Sequence, residues 1–206
     1  REELGFALEA IRLLRRELRV PLIGFAGAPF TLASYAIEGG HSSHFALTKG
    51  MMYGDAPAWH RLASLLADVV ADYLRAQVEA GVQAVQLFDS WIGALDEADY
   101  REFVLPHVRR IFDGIADLDV PKIHFGTGTG HLLAVQREAG GTVIGVDWRT
   151  PLDEGWKRAG DGVALQGNLD PTTILAGADV AVDRARDVLR RADGHRGHVF
   201  NLGHGV

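Results

Sequence analysis

Short apolar runs that turn polar at their C-terminal ends alternate with helical stretches along the whole chain, and this alternation limits the fold more than any other feature. The runs begin near Pro21, Ala84, Lys122, Thr142, Val163 and His198, and each has the length of a strand. Their ends read Leu-Phe-Asp-Ser-Trp (Leu87 to Trp91), Ile-His-Phe-Gly (Ile123 to Gly126), Gly-Val-Asp-Trp (Gly145 to Trp148), Leu-Gln-Gly-Asn (Leu165 to Asn168) and Phe-Asn-Leu-Gly-His-Gly (Phe200 to Gly205). The clearest helix is expected from Pro57 to Ala80, where Trp59, Leu62, Leu66, Val69, Tyr73 and Gln77 recur at three- and four-residue spacing and Gly81 supplies the stop. Further helices are expected after Asp96, Thr150 and Asp179 as caps, with Pro106 breaking or kinking the first of these.

Alternating strands and helices, with strands apolar along their length, predict parallel βα units and a sheet covered on both faces. An open doubly wound sheet gathers its ligand residues at one switch point, whereas a (β/α)8 barrel places polar residues at every strand tip. The chain has the second pattern. The fold class read from it is α/β, a distorted (β/α)8 TIM-type barrel of which about six βα units lie in one domain over residues 1–206. A barrel of roughly 250 residues leaves room for two more strands, which this reading places before Arg1. Arg1 opens inside an amphipathic pattern (Leu4, Ala7, Ile11, Leu14) with no initiator Met, and Val206 follows a strand directly, so the chain reads as a fragment cut at both ends.

Composition excludes several classes. With 27 acidic residues against 21 Lys and Arg the formal charge is −6, which gives nucleic acid or an anionic membrane no basic surface to bind. There is no cysteine, hence no disulfide or thiolate chemistry, and a reducing compartment fits. No signal peptide and no apolar stretch of about 18 residues is present, and the reading is of a cytoplasmic protein.

Gly126-Thr-Gly-Thr-Gly130 follows a strand, precedes a helix, and has Asp147 after the next strand, 21 positions on. That is the layout of an S-adenosylmethionine or dinucleotide site. The third fingerprint glycine is replaced by His131, however, and His124 stands where methyltransferase loops commonly carry an acid, so the preferred reading is a flexible, solvent-facing loop at the barrel mouth. His60, His107, His195 and His198 fall on helix or loop positions read as exposed. His41 and His44 have the spacing of a metal pair without a third ligand nearby. His204 differs, because glycines on both sides clear space around it at a strand tip.

Taken together, Gly24-Phe-Ala-Gly-Ala-Pro-Phe-Thr-Leu-Ala-Ser-Tyr35 with Glu38-Gly-Gly40, Gln86-Leu-Phe-Asp-Ser90, Gly145-Val-Asp-Trp148, Gln166-Gly-Asn-Leu-Asp-Pro171 and Asn201-Leu-Gly-His-Gly205 resemble the uroporphyrinogen decarboxylase family of haem biosynthesis. The resemblance implies a homodimer that removes the four acetate carboxyls of uroporphyrinogen III to give coproporphyrinogen III, without cofactor or metal. It implies that Tyr35, Ser90 and His204 contact substrate, and that Asp89, Asp147 and Asp170 are supporting or capping residues. The family's arginine-bearing segment and its ring-gripping aspartate match nothing in this sequence. Protonating a pyrrole makes it a cationic sink for the carboxylate electrons, and the resemblance assigns that work to those groups. Two alternatives remain open: a nucleotide-binding module built on Gly126 to Gly130 and Asp147, and a related barrel methyltransferase. The latter needs zinc held by His and Cys, which a chain without cysteine opposes.

Overall fold

The apolar runs form six parallel strands in the computed structural model, which describes residues 4–40 and 42–205. Arg1, Glu2, Glu3, His41 and Val206 lie outside the described residues, and with them the expected helical opening at Arg1, half of the His41/His44 pair and the ending at Val206. The strands are β1 (Ile23–Gly27), β2 (Ala84–Phe88), β3 (Lys122–Phe125), β4 (Val143–Gly145), β5 (Ala164–Gln166) and β6 (His198–Val199). They pair strictly in chain order. A doubly wound sheet reverses its order at a switch point, so this uninterrupted winding is the arc of a barrel. β6 is shorter than the run from His198 implies, and pairing resumes only at the Leu169–Leu202 bridge.

The register separates two faces. Ala26, Leu87, His124, Ile144, Leu165 and His198 lie level with one another on the face that carries the helices. On the other face the rings of Phe25, Phe88 and Phe125 meet edge to face at 5.7 and 5.8 Å across β1, β2 and β3, and Phe125 covers the space a side chain at Gly145 would need. Gln166 Nε2 donates to Gln86 Oε1 at 2.9 Å on this inner face, although β2 and β5 are not neighbours. Only a strongly curved sheet brings them together.

The connections are α1 (Gly5–Glu17) before β1; α2 (Pro29–Glu38), α3 (Ala46–Gly54) and α4 (Ala56–Ala80) before β2; and α5 (Glu97–Asp99) and α6 (Leu105–Gly114) before β3. Then come α7 (Leu133–Ala139), α8 (Leu152–Ala159), α9 (Thr172–Leu175) and α10 (Ala178–Ala192). Asp55 caps α4 by accepting from Ala58 N, and Gly81 ends it at φ +116. The buried stripe of α4 is Trp59, Ala63, Ala67, Val70, Leu74 and Gln77, while Val69 is exposed. The expected stripe is thus rotated, because small alanines let the helix approach its neighbours and only Trp59 and Gln77 of the expected set are buried. Pro106 is absorbed by a π-turn over Tyr100–Val104, which precedes α6 and frees the carbonyl that proline cannot bond. Asp96 caps α5, but Pro151 and Gly177 hold the N-cap positions of α8 and α10 in place of Thr150 and Asp179. No helix among the described residues is long and apolar enough to cross a membrane.

His107 is buried, against expectation, because α6 packs its imidazole onto α4. Its Nε2 lies 2.9 Å from His60 Nδ1 and its Nδ1 3.3 Å from Ser64 Oγ. His60 is half-buried beside it, His195 is exposed and stacks on Trp156, and His198 is half-buried with its Nε2 2.7 Å from the Gly167 carbonyl. Burial, with His60 and Arg110 close by, pushes His107 down to about 4. The unfolded chain therefore takes up the proton first, so this contribution is complete above about pH 6.5 and is lost as pH falls toward 4, by up to about 3 kcal/mol. Urea unfolding midpoints should drop across that window, and His107→Gln should flatten the drop.

Candidate active site

Parallel strands deliver all their C-terminal tips to one side, and an open cleft of about 600 Å³ lies there. Phe88 and Phe125 give it an apolar floor, Gln86 lies among them, and Ser90, Asn201 and His204 form its polar walls. Ser90 follows β2 and His204 follows β6, so the walls come from distant strands. Among the described residues no Lys or Arg lines this cleft.

Ser90 is held from behind by the Gly126 to Gly130 segment. Thr127 donates to the Ser90 carbonyl through both its backbone N, at 3.4 Å, and its hydroxyl. Gly126 and Thr129 are buried, and a side chain at Gly93 would collide with the Thr127 carbonyl. The segment is therefore packed rather than flexible and solvent-facing. Its glycines permit close approach between neighbouring loops: a side chain at Gly126 would crowd Thr129 and the Asp89 carbonyl, and one at Gly130 would crowd Thr150. Gly128, at φ +66, donates its N–H to Asp147 Oδ2 at 2.7 Å. A dinucleotide pyrophosphate needs such an N–H, and here a buried carboxylate already holds it. The nucleotide-binding alternative has no support in this geometry.

The second wall rests on the same carboxylate. Asp147 pairs with Arg149 at 2.5 Å, and the Arg149 guanidinium lies 3.9 Å over the Trp148 ring. Trp148 meets His204 edge-on at 6.2 Å, and Phe125 approaches His204 at 6.4 Å. Gly203 donates to the Leu169 carbonyl at 2.7 Å, and any side chain at 203 would land on the backbone nitrogen of Trp148. Asn168 Nδ2 donates to the Asp147 carbonyl at 2.9 Å. Beyond Trp148 a second cleft, of about 480 Å³, contains Arg149 and Arg184.

Tyr35 lies apart from the lining. It is exposed on α2, with its ring 4.2 Å from that of Trp91, the residue after Ser90. Asp89 is fully buried; its Oδ1 accepts from Thr31 Oγ1 at 3.3 Å and its Oδ2 lies 3.8 Å from His124 Nε2. Burial pushes the Asp89 carboxyl up, against the opposing pull of His124 and Thr31. Asp170 accepts from Thr172 N and Oγ1 at the start of α9, and these bonds hold its carboxyl low. Among the described residues no three His, Asp or Glu side chains converge as a metal site requires. Sequence reasoning missed Thr127, Trp148 and Arg149; the Gly-Val-Asp-Trp motif pointed at the second of these without assigning it a place.

A model of the family described as uroporphyrinogen decarboxylase matches residues 1–206. Curated relatives with that name are similar over the whole chain: 59% identical in Sorangium cellulosum, 57% in Nocardia farcinica and 56% in Streptomyces coelicolor. The chain spans 59, 60 and 58% of their respective lengths. Among solved structures, a B12-independent methionine synthase from a Shewanella species aligns with a TM-score of 0.63 at 14% identity, covering 95% of this chain and 59% of that one. A putative B12-independent methionine synthase from Listeria monocytogenes aligns with a TM-score of 0.61 at 10% identity, covering 96% and 62%. At these identities the structural likeness is one of fold.

Gly203→Ala should push the β6 tip off Trp148 and cost about 1–3 kcal/mol of stability. The checks are the urea midpoint and the NMR shift of the His204 ring, and an unmoved ring would contradict the contact. Calorimetric titration with NAD or S-adenosylmethionine should give no saturable heat at micromolar ligand.

Proposed function

The chain belongs to the uroporphyrinogen decarboxylase family, and on that premise we propose that the protein it forms part of converts uroporphyrinogen III to coproporphyrinogen III by removing four acetate carboxyls. The observation that carries this reading is the family match over every residue of the chain, joined to a cleft whose composition suits the substrate. Phenylalanine rings complement pyrrole faces, and Ser90, Asn201 and His204 offer polar groups to carboxylates. Tyr35 is outside the cleft lining, packed on Trp91 next to Ser90, and in this reading it meets a peripheral carboxylate.

In the proposed reaction a proton added to a pyrrole carbon makes the ring cationic. The bond between the acetate methylene and its carboxylate then breaks, its electron pair passes into the ring, and carbon dioxide leaves. A second proton converts the methylene to methyl as the ring proton is released. The protonated ring is itself the electron sink, so the reading needs no cofactor or metal. Ser90, His204 and Tyr35 hold carboxylates and ring position in this scheme, while the ring acid, the arginines and the anchoring aspartate belong to parts of the barrel outside this chain. The reading extends to a cytoplasmic homodimer, as the resemblance implies, and the absence of cysteine fits that compartment.

The test follows loss of carboxyl groups from uroporphyrinogen, using the polypeptide extended to the length of its relatives beside the 206-residue chain alone. The extended protein should turn over and the chain alone should not. Ser90→Ala and His204→Gln, made in the extended protein, should each raise KM about tenfold, the scale of one lost charge-assisted hydrogen bond. Turnover by the chain alone, or unchanged KM in both variants, would sink the assignment.

A further inference from the structure

Helix α2 is fastened to the tip of β2 at three successive levels. At the base, Ala28 N donates to the Phe88 carbonyl at 2.8 Å. One turn higher, Thr31 Oγ1 donates to Asp89 Oδ1 at 3.3 Å, with Thr31 buried and Asp89 at 0% exposure. At the top the Tyr35 ring lies against Trp91 at 4.2 Å. Residues 28, 31 and 35 share one face of a helix, and the three partners climb the β2 tip in step with them.

Tyr35 itself is 58% exposed, so burial does not fix it. The α2 N-cap is Ala28, whose methyl group cannot hydrogen-bond to the helix start. The middle rung is the side-chain hydrogen bond of the series and is buried, where a hydrogen bond is stronger than in water and a lost partner is costly. Thr31 lies about 6 Å below Tyr35 along the helix axis, so a small tilt released at Thr31 is carried to the Tyr35 ring.

We infer that Thr31 and Asp89 are positioning residues that hold Tyr35 in register with Ser90, making the two substrate-contacting side chains one unit. This rests on the proposed function, in which both touch substrate. Asp89 leads directly into Ser90, and its bond to Thr31 transmits the position of that strand tip to α2.

The experiment uses the extended enzyme. Asp89→Ala would empty a fully buried joint and confuse positioning with unfolding, so the substitutions are placed on Thr31. Thr31→Val keeps the shape and removes the donor; it should raise KM about three- to tenfold, the scale of one lost hydrogen bond, with kcat within about twofold. Thr31→Ser should restore the wild-type KM. Tyr35→Phe should raise KM by itself, and the double variant with Thr31→Val should be no worse than about the larger single effect, since the lost rung acts through Tyr35. Multiplying effects, or failure of Thr31→Ser to rescue, would overturn the inference while leaving Tyr35 in the site. An unchanged KM in Tyr35→Phe would instead remove Tyr35 from the site, and the inference with it. If Thr31→Val does not fold, Trp91→Phe at the top rung takes its place in the same cycle, with the same criterion of non-additivity.

Discussion

The carboxylate of Asp147 is the joint on which three strand tips depend. It is buried at the end of β4, takes the Gly128 N–H from the loop after β3, and pairs with Arg149. The peptide that follows it carries the loop after β6, through the close approach of Gly203 to Trp148. A buried carboxylate is stable only when hydrogen bonds and a cation offset its lost hydration. The Arg149 side chain is 54% exposed, so solvent screens its charge, and the backbone N–H of Gly128 is the firmer support. The glycines of these loops therefore follow from backbone contacts between neighbouring tips, and a nucleotide is not needed to explain them.

The interior divides along the same line. One core gathers under β1 to β3, around Trp59, Leu74 and Ile111; a smaller one gathers under β4 to β6, around Ile144, Trp156 and Leu165. The Gln86–Gln166 bond joins the halves through the barrel interior, and the Asp147 joint couples them at the rim. Ser90 belongs to the first half and His204 to the second. The width of the cleft depends on how the two halves meet, and on the inner face Phe125 packs over Gly145 of β4 across that division.

The six strands and α4 were legible in the sequence because short apolar runs and a long three-and-four periodicity are local signals. The face of α4 was not, since Trp59 through Tyr73 have the same period whichever neighbour the helix meets, and the alanines at 63 and 67 that decide the packing carry little hydrophobic signal. His107 read as exposed because its burial depends on α4 meeting α6, a contact between segments far apart in the chain. The glycine loop misled for a related reason: glycine spacing records that something comes close, and only the fold says whether it is a phosphate or another loop. Of the candidate site residues, the chain's own pattern singled out His204 through its flanking glycines, and Tyr35 and Ser90 came from the resemblance. Thr31 and Trp91 lay inside motifs that the sequence displayed but were given no role, because their meaning lies in register with the β2 tip.

The charge balance explains how the proposed work is divided. Uroporphyrinogen bears an acetate and a propionate on every ring, and this chain carries a formal charge of −6, so their long-range interaction is repulsive. The cleft offers neutral groups and one imidazole, with Arg149 set behind the Trp148 ring and engaged by Asp147. Neutral donors choose orientation well and neutralise charge poorly. In the proposed reaction, affinity for a polycarboxylate is therefore assigned to cations from the rest of the barrel, and the orientation of the ring to the residues of this chain. On that division, substitutions at Ser90, His204 and the α2 fastening act on substrate orientation, which is why their expected effects fall on KM.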